Sequence, residues 1–139
     1  MFLTKECDYG VRIIRALSNG EKRIVEVICE EEYIPGQYAY KILKKLERAG
    51  LVRSIRGRNG GYRLHKQLQE ISLFDIVTEI DDNLYVFECL REDHNCVVNQ
   101  PSKPCTVHAE FERIQAAIKS EMSRHSMMDL ISCAHINPK

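Results

Sequence analysis

The chain has 139 residues, of which 44% are hydrophobic, and its 20 basic side chains balance 20 acidic ones. A chain of this size can bury one proper core. No apolar run is long enough to cross a bilayer, and the charged start MFLTKECDYG lacks the apolar core of a signal peptide. The composition therefore excludes a membrane protein and predicts a cytoplasmic location, where the six cysteines are expected to be thiols or ligands rather than disulfides.

The balanced charge conceals an asymmetry along the chain. Residues 1–66 carry 14 basic and 8 acidic side chains, whereas residues 67–139 carry 6 and 12. Between Lys41 and Lys66 there are nine Lys or Arg residues and one acid, Glu47. Such a density of like charge repels itself unless a polyanion approaches, so the first half is where we expect nucleic acid to bind.

Two helices are predicted to open the chain. Thr4 is a suitable N-cap, and Asn19-Gly20 is expected to end the first helix. Its apolar stripe is formed by Tyr9 or Gly10, Ile13, Ile14 and Leu17. The second helix is predicted from about Ile24 to Glu32, with Ile24, Val27 and Ile28 pointing inward. Its three consecutive glutamates lie at the negative end of the helix dipole, which is a mildly unfavourable placement.

The third helix is amphipathic. Pro35 suits its opening turn, and Gly50 is expected to end it in a left-handed conformation. The buried stripe is predicted to contain Ala39, Ile42, Leu43 and Leu46, and the polar face to contain Gln37, Tyr40, Lys41, Lys44 and Lys45. Considered alone, this polar face is compatible with a simple solvated helix surface.

A short hairpin with a basic end follows this helix. Strands are predicted at 51–56 and 62–64, and Asn59-Gly60 is expected to supply the positive φ angles of a tight turn. A helix, a glycine stop and a basic ribbon in this order predict the recognition helix and wing of a winged helix-turn-helix, a mainly α fold with a small β wing. The candidate DNA contacts are Gln37, Tyr38, Tyr40, Lys41, Lys44, Lys45, Arg56, Arg58, Asn59 and Arg63.

The remainder of the chain is predicted to contain two helices separated by an irregular segment. Ser72 caps a short helix that ends at Asp81-Asp82-Asn83. A long helix carries Val107, Phe111, Ile114, Ile118 and Met122 at spacings of three and four. We divide the chain into a DNA-binding domain (1–80), a cysteine-containing loop (81–106) and a long helix with a C-terminal tail (107–139). The long helix either packs on its own core or forms a homodimer.

Three cysteines lie in or beside the irregular segment, at Cys89, Cys96 and Cys105. Their spacing lacks the paired C-x2-C of structural zinc sites. Three interpretations remain open: unligated thiols, a zinc site completed by His94 or His108, and an iron-sulfur cluster, for which soft thiolates on a loop are suitable.

An enzyme and a small-molecule substrate are not expected. The remaining candidates Cys29, His65 and His125 form no recognisable catalytic grouping. Cys7, Cys29 and Cys133 are more often packed thiols than functional ones.

Several motifs together resemble the Rrf-type winged-helix regulators, the family of IscR and NsrR. They are LTKECDYGVR, KILKKLERAGLV, the wing RSIRGRNGGYRL, LFDIV, the three-cysteine loop and SMMDLI. The resemblance implies a homodimer that binds palindromic double-stranded promoter DNA. It also implies an iron-sulfur cluster, held by Cys89, Cys96 and Cys105, whose response to iron, redox state or nitric oxide alters DNA affinity. A regulator with structural zinc or no metal, controlled by a partner protein, is the alternative.

The resemblance leaves the fourth ligand and the cluster type open. His108, three residues after Cys105, matches the histidine that completes a 2Fe-2S site in IscR. Asp8 matches the aspartate used for a 4Fe-4S site in NsrR, although it also suits the first turn of a helix. The 2Fe-2S cluster is slightly favoured. By the same resemblance Arg56 enters the minor groove, and Tyr40 replaces a base-reading glutamate of IscR, so a different operator is expected.

Overall fold

The computed structural model describes residues 3–132, which form helices and one two-stranded sheet. The helices are α1 (Lys5–Ala16), α2 (Val25–Glu32), α3 (Gly36–Arg48), α4 (Leu73–Ile80), α5 (Thr106–Met122) and α6 (Met127–Ser132). The strands are β1 (Val52–Ile55) and β2 (Gly61–Leu64), and single 3-10 turns lie at Leu68–Glu70 and Glu88–Leu90. The predicted fold class, mainly α with a small β wing, is confirmed.

The core lies between α1, α3 and α4. The predicted stripes of α1 and α3 are buried, and Ile76, Val77 and Ile80 of α4 complete the core. A Cβ at Gly10 would lie 1.9 Å from the Cδ1 of Ile80, so α1 and α4 cross in direct contact. Burial of these aliphatic side chains, at about 1.5 to 3 kcal/mol each, holds α3 with its polar face outward.

Helix caps agree with the sequence at two positions. The backbone N–H of Cys7 donates to the hydroxyl of Thr4, and Ser72 and Asp75 form a reciprocal capping box at the start of α4. The prediction that Ile24 points inward is wrong: α2 begins one residue later, and Ile24 is an exposed, extended cap residue. Val25 is buried in its place, because the start of the helix sets which side chains face the core.

The acidic end of α2 is neutralised by arginines from outside the helix. Arg23 lies 2.5 Å from Glu31, Arg15 forms a two-pronged pair with Glu32, and Arg12 donates to the backbone carbonyl of Glu32 at 3.1 Å. These cations compensate for the unfavourable position of the glutamates at the negative helix pole.

The wing differs from the predicted tight turn. β1 and β2 are antiparallel, with Ile55 opposite Gly61, so five residues form the loop and a two-residue turn is ruled out. The positive φ angle, 119°, lies at Gly57 rather than at Asn59-Gly60, and the N–H of Gly60 donates back to the Gly57 carbonyl at 3.0 Å. Gly60 is required for close approach, since a Cβ there would lie 2.8 Å from the Ile55 carbonyl oxygen.

The two C-terminal helices differ in how much they contact the core. α6 packs back on the domain through buried Met127, whose N–H donates to the Ile71 carbonyl at 2.7 Å. α5 has no buried residue, and Val107 in its apolar stripe is 55% exposed. Within residues 3–132, no helix is long and apolar enough to cross a membrane. Cys133 lies outside the described residues.

Candidate nucleic-acid interface and cysteine segment

The exposed face of α3 presents most of the side chains predicted to contact DNA. Gln37, Tyr38, Tyr40, Lys41 and Lys44 are all exposed, because the opposite stripe of the helix is buried against α1 and α4. The sequence therefore predicted correctly which side of this helix faces solvent.

The three lysines of this face have different surroundings. Lys41 lies 2.8 Å from Glu6 of α1, which raises the pKa of Lys41 and lowers that of Glu6. Lys45 is half-buried: its ammonium donates to the Ile80 carbonyl at 2.6 Å and lies 3.6 Å from Glu6. Lys44 is exposed and has no ion pair among the described residues. Of the three, Lys44 is the one most available to a phosphate.

Glu26, at the start of α2, also reaches this face. The hydroxyl of Tyr40 donates to Glu26 Oε1 over 3.1 Å. This hydrogen bond, together with the negative charge of Glu26, raises the pKa of Tyr40. Sequence reasoning missed both Glu6 and Glu26, because each comes from a different helix and only the helix packing brings it to α3.

The wing is fixed relative to α3 by the one acid of the basic region. Glu47 Oε1 accepts hydrogen bonds from the N–H of Ser54 at 2.9 Å and from its hydroxyl at 2.5 Å, and both lower the pKa of Glu47. The Lys22 ammonium donates to the Asn59 carbonyl at the tip. A Cβ at Gly61 would lie 2.4 Å from the carbonyl oxygen of Arg23, so the wing also packs closely on the chain between α1 and α2.

The basic end of the hairpin is only partly free. Arg56, Arg58 and Asn59 are exposed at the tip. Arg63 is half-buried opposite Arg53, and its Nε is buried without a hydrogen-bond partner in the structure. The prediction that Arg63 clusters with the other wing residues at one end of the ribbon is wrong: Arg63 pairs with Arg53, two pairs below the Ile55–Gly61 pair at the tip, because the strand register rather than the sequence spacing sets its position.

The segment between α4 and α5 is anchored to α5. Gln115 accepts from the N–H of Val86 at 2.9 Å and donates to the Leu84 carbonyl at 3.0 Å. The rings of Phe87 and Phe111 are stacked, with centroids 3.4 Å apart. These contacts fix the chain immediately before Cys89.

The three cysteines are half-buried and form no disulfide. Cys89 lies in the 3-10 turn at 88–90, and Cys105 is the N-cap of α5. Gln100 donates to the Cys96 carbonyl at 2.7 Å, and Asn99 accepts from the Cys105 N–H at 2.9 Å. Within residues 3–132, no three Cys, His, Asp or Glu side chains are close enough to hold a single metal ion.

The two candidate fourth ligands differ in environment. His108 is largely buried on the first turn of α5; its Nε2 lies 3.5 Å from Glu112, and its buried Nδ1 has no hydrogen-bond partner in the structure. Asp8 is half-exposed and paired with Arg12 at 2.8 Å. It lines a mainly apolar groove of about 550 Å³ between α1, α4 and the end of α5.

Sequence comparison identifies the family. The profile of Rrf2, described as "Iron-dependent Transcriptional regulator", matches residues 3–133. The chain belongs to the Rrf2 family. It is thus a winged-helix transcriptional regulator, and its exposed α3 and basic hairpin are the recognition helix and wing of that fold.

The chain is also similar in sequence to named relatives. The chain is 30% identical over 135 residues to the transcriptional regulator NsrR of Shouchella clausii, covering 94% of this chain and 89% of that protein. It is 45% identical over 94 residues to Protein aau3 of Rhizobium meliloti, covering 66% of this chain and 60% of the relative.

Two solved structures share the fold. Oxidised CymR of Staphylococcus aureus has a TM-score of 0.74 at 22% identity and covers 97% of this chain and 99% of its own. IscR of T. potens has a TM-score of 0.72 at 20% identity, with 99% and 90% covered. CymR of B. subtilis, with a similar fold, is named as that organism's global cysteine regulator. The fold alone therefore does not select a signal.

Proposed function

We propose that this Rrf2 protein is a homodimer that binds promoter DNA with α3 and the wing, and that an iron-sulfur cluster on Cys89, Cys96 and Cys105 controls its affinity. The chemistry of the donor set supports the cluster, since three thiols and an unpartnered imidazole nitrogen lie between Cys89 and His108. In the described residues these side chains are not yet grouped around one point, so the proposal requires cluster binding to bring them together. A bound cluster would supply an iron centre that reacts with oxidants or nitric oxide and responds to iron supply.

His108 fits the fourth position better than Asp8. A ligating imidazole usually offers one nitrogen to the metal and donates its other N–H to a carboxylate, which fixes the tautomer. Glu112 occupies that second position, 3.5 Å from Nε2, and leaves Nδ1 free. Asp8 instead has an intrachain partner in Arg12. This difference supports a 2Fe-2S site over a 4Fe-4S site.

The link from the cysteine segment to DNA runs through Lys45. Its ammonium holds the carbonyl of Ile80, the last residue of α4, and Asp81 begins the segment that carries the cysteines. A change in the segment would therefore act on the recognition helix through a direct hydrogen bond. We expect a coupling of about 5- to 150-fold in operator affinity, the usual range for linked sites.

Dimerisation is assigned to α5. α5 has 17 residues and none of them is buried, so its apolar stripe gains little stabilisation from packing on its own domain. A second copy of the helix could cover this stripe. Changing Ile118, which lies in the stripe, to Glu should convert the dimer to a monomer in analytical ultracentrifugation. The control, Ser120→Glu, adds the same charge on the opposite face and should remain dimeric. A dimeric Ile118→Glu variant would contradict the assignment.

The cofactor proposal is tested on protein purified without oxygen. Absorption spectra would be recorded with iron, acid-labile sulfide and zinc analysis. Two iron and two sulfide per chain, lost in His108→Ala and kept in Asp8→Ala, are expected. Four of each, with the opposite response, would indicate a 4Fe-4S site completed by Asp8. Stoichiometric zinc without sulfide would show that the site holds a structural metal ion instead of a cluster.

The orienting role of Glu112 gives a sharper test. Glu112→Gln should weaken cluster retention by roughly 10- to 100-fold, the usual effect of losing an outer-shell partner. Glu110→Gln is the matched control, since Glu110 pairs with Arg113 at 2.6 Å and has no contact with His108 among the described residues. Retention is measured as loss of visible absorption during titration with a chelator. Equal loss of the cluster from the Glu112→Gln and Glu110→Gln variants would contradict the proposal that Glu112 orients His108 as a ligand.

A further inference from the structure

Tyr40 is exposed on the recognition helix, but its hydroxyl already donates a hydrogen bond within the protein. It points to Glu26 at 3.1 Å, and no other hydrogen bond of this hydroxyl occurs within residues 3–132. An ionised carboxylate has no proton to donate, so the phenol must be the donor. A phenol keeps its proton at neutral pH, and the hydrogen bond to Glu26 raises the pKa of Tyr40 further.

The consequence concerns which groups of DNA the tyrosine can bind. A phenol has a single O–H, and with its proton committed to Glu26 the oxygen offers only lone pairs to other partners. In the major groove the donors are the amino groups N4 of cytosine and N6 of adenine, whereas O6 and N7 of guanine and O4 of thymine are acceptors. Without Glu26 the hydroxyl could rotate and donate to either keto group.

We propose that Glu26 is a specificity-determining residue: by accepting the hydrogen bond of the Tyr40 hydroxyl, it makes the recognition helix select an amino base, adenine or cytosine, over guanine or thymine at one position of each half-site. The proposal rests on the proposed DNA-binding function and adds a residue from outside the recognition helix. Glu26 acts through Tyr40, so it is a positioning residue rather than a base contact.

The experiment selects operator sequences from a pool of random duplexes with the full-length protein and three variants. The wild type should enrich a motif with one amino-selective position in each half-site. Tyr40→Phe should lose the preference there, because the hydroxyl is gone. Glu26→Ala should admit guanine or thymine at the same position and keep the preferences elsewhere. Glu30→Ala is the control: it removes an exposed acid from α2, the helix that carries Glu26, and should leave the whole motif unchanged.

A second measurement removes the amino group from the DNA. In the selected duplex, the adenine or cytosine at that position is replaced by purine or pyrimidin-2-one, which lack the exocyclic amine. The wild type should bind this duplex roughly 2- to 12-fold more weakly than the unmodified one, the range for one hydrogen bond. Tyr40→Phe should bind the two duplexes equally.

The possible failures are distinguishable. If no duplex is enriched, the proposed DNA-binding function fails and this inference fails with it. If a motif is enriched but every preference survives in Tyr40→Phe, only the role of Tyr40 and Glu26 is overturned. If Tyr40→Phe changes the motif and Glu26→Ala does not, the tyrosine reads DNA without the help of Glu26.

Discussion

Lys44 should be the main phosphate contact of the recognition helix, because it is exposed and has no ion pair within the described residues. Each neutralised phosphate contributes about 0.9 to the slope of log affinity against log salt. Between 50 and 200 mM salt, one contact is therefore worth about 3.5-fold in affinity. Lys44→Ala should lower the slope by about 0.9 and weaken binding to operator and scrambled duplexes alike, as measured by fluorescence anisotropy.

Lys45 provides the matched control on the same helix. Its ammonium is already committed to the Ile80 carbonyl and lies beside Glu6, and its side chain is 28% exposed. Lys45→Ala should leave the salt slope near the wild-type value and lower the free energy of unfolding by about 1 kcal/mol. An unchanged slope in Lys44→Ala, or a larger change in Lys45→Ala, would refute this assignment of the phosphate contact.

Two further predictions concern the wing. Gly61→Ala should lower the free energy of unfolding by about 1 to 3 kcal/mol in urea, because its Cβ would meet the Arg23 carbonyl; Gly36→Ala, with open space around it, should not. Glu47 has a lowered pKa in the folded chain because of its hydrogen bonds from Ser54, so its stabilising effect is present above its ordinary value of 4.5 and is lost as the pH falls through the lowered pKa. The stability difference between wild type and Glu47→Gln should therefore shrink in acid; a constant difference would contradict this.

The buried stripes and the order of elements could be predicted from the sequence because they depend on local spacing. Ala39, Ile42 and Leu43 repeat at helical intervals, and this pattern alone determines which face of α3 is buried. Gly50 was correctly expected to adopt a left-handed conformation, with φ of 76°. The turn of the wing was mistaken because the pairing of the strands, rather than the Asn-Gly dipeptide, sets the length of the loop.

The contacts between the exposed face of α3 and neighbouring helices could not be predicted from local spacing. Glu6 pairs with Lys41 across 35 positions of sequence, and Glu26 reaches Tyr40 across 14. Either contact depends on how two helices pack, and a hydrophobic pattern specifies the buried side of a helix but not which polar side chains meet at its edges. The cysteine segment was harder still, since its turns are fixed by side chains such as Asn99 and Gln115 rather than by a repeat.

The net charge of the basic region therefore overstates the charge available to DNA. Nine Lys or Arg residues and one acid lie between 41 and 66, but Glu6 from α1 lies against two of the lysines and Glu26 from α2 lies beside Tyr40. Each of these carboxylates from other helices weakens the general attraction to DNA, because it repels the phosphate backbone whatever the base sequence. That loss is common to all sequences, whereas the orientation of the Tyr40 hydroxyl is proposed to favour only some of them. Under the proposal for Tyr40, Glu26 thus raises the ratio of specific to non-specific binding while lowering the affinity for phosphate common to all sequences.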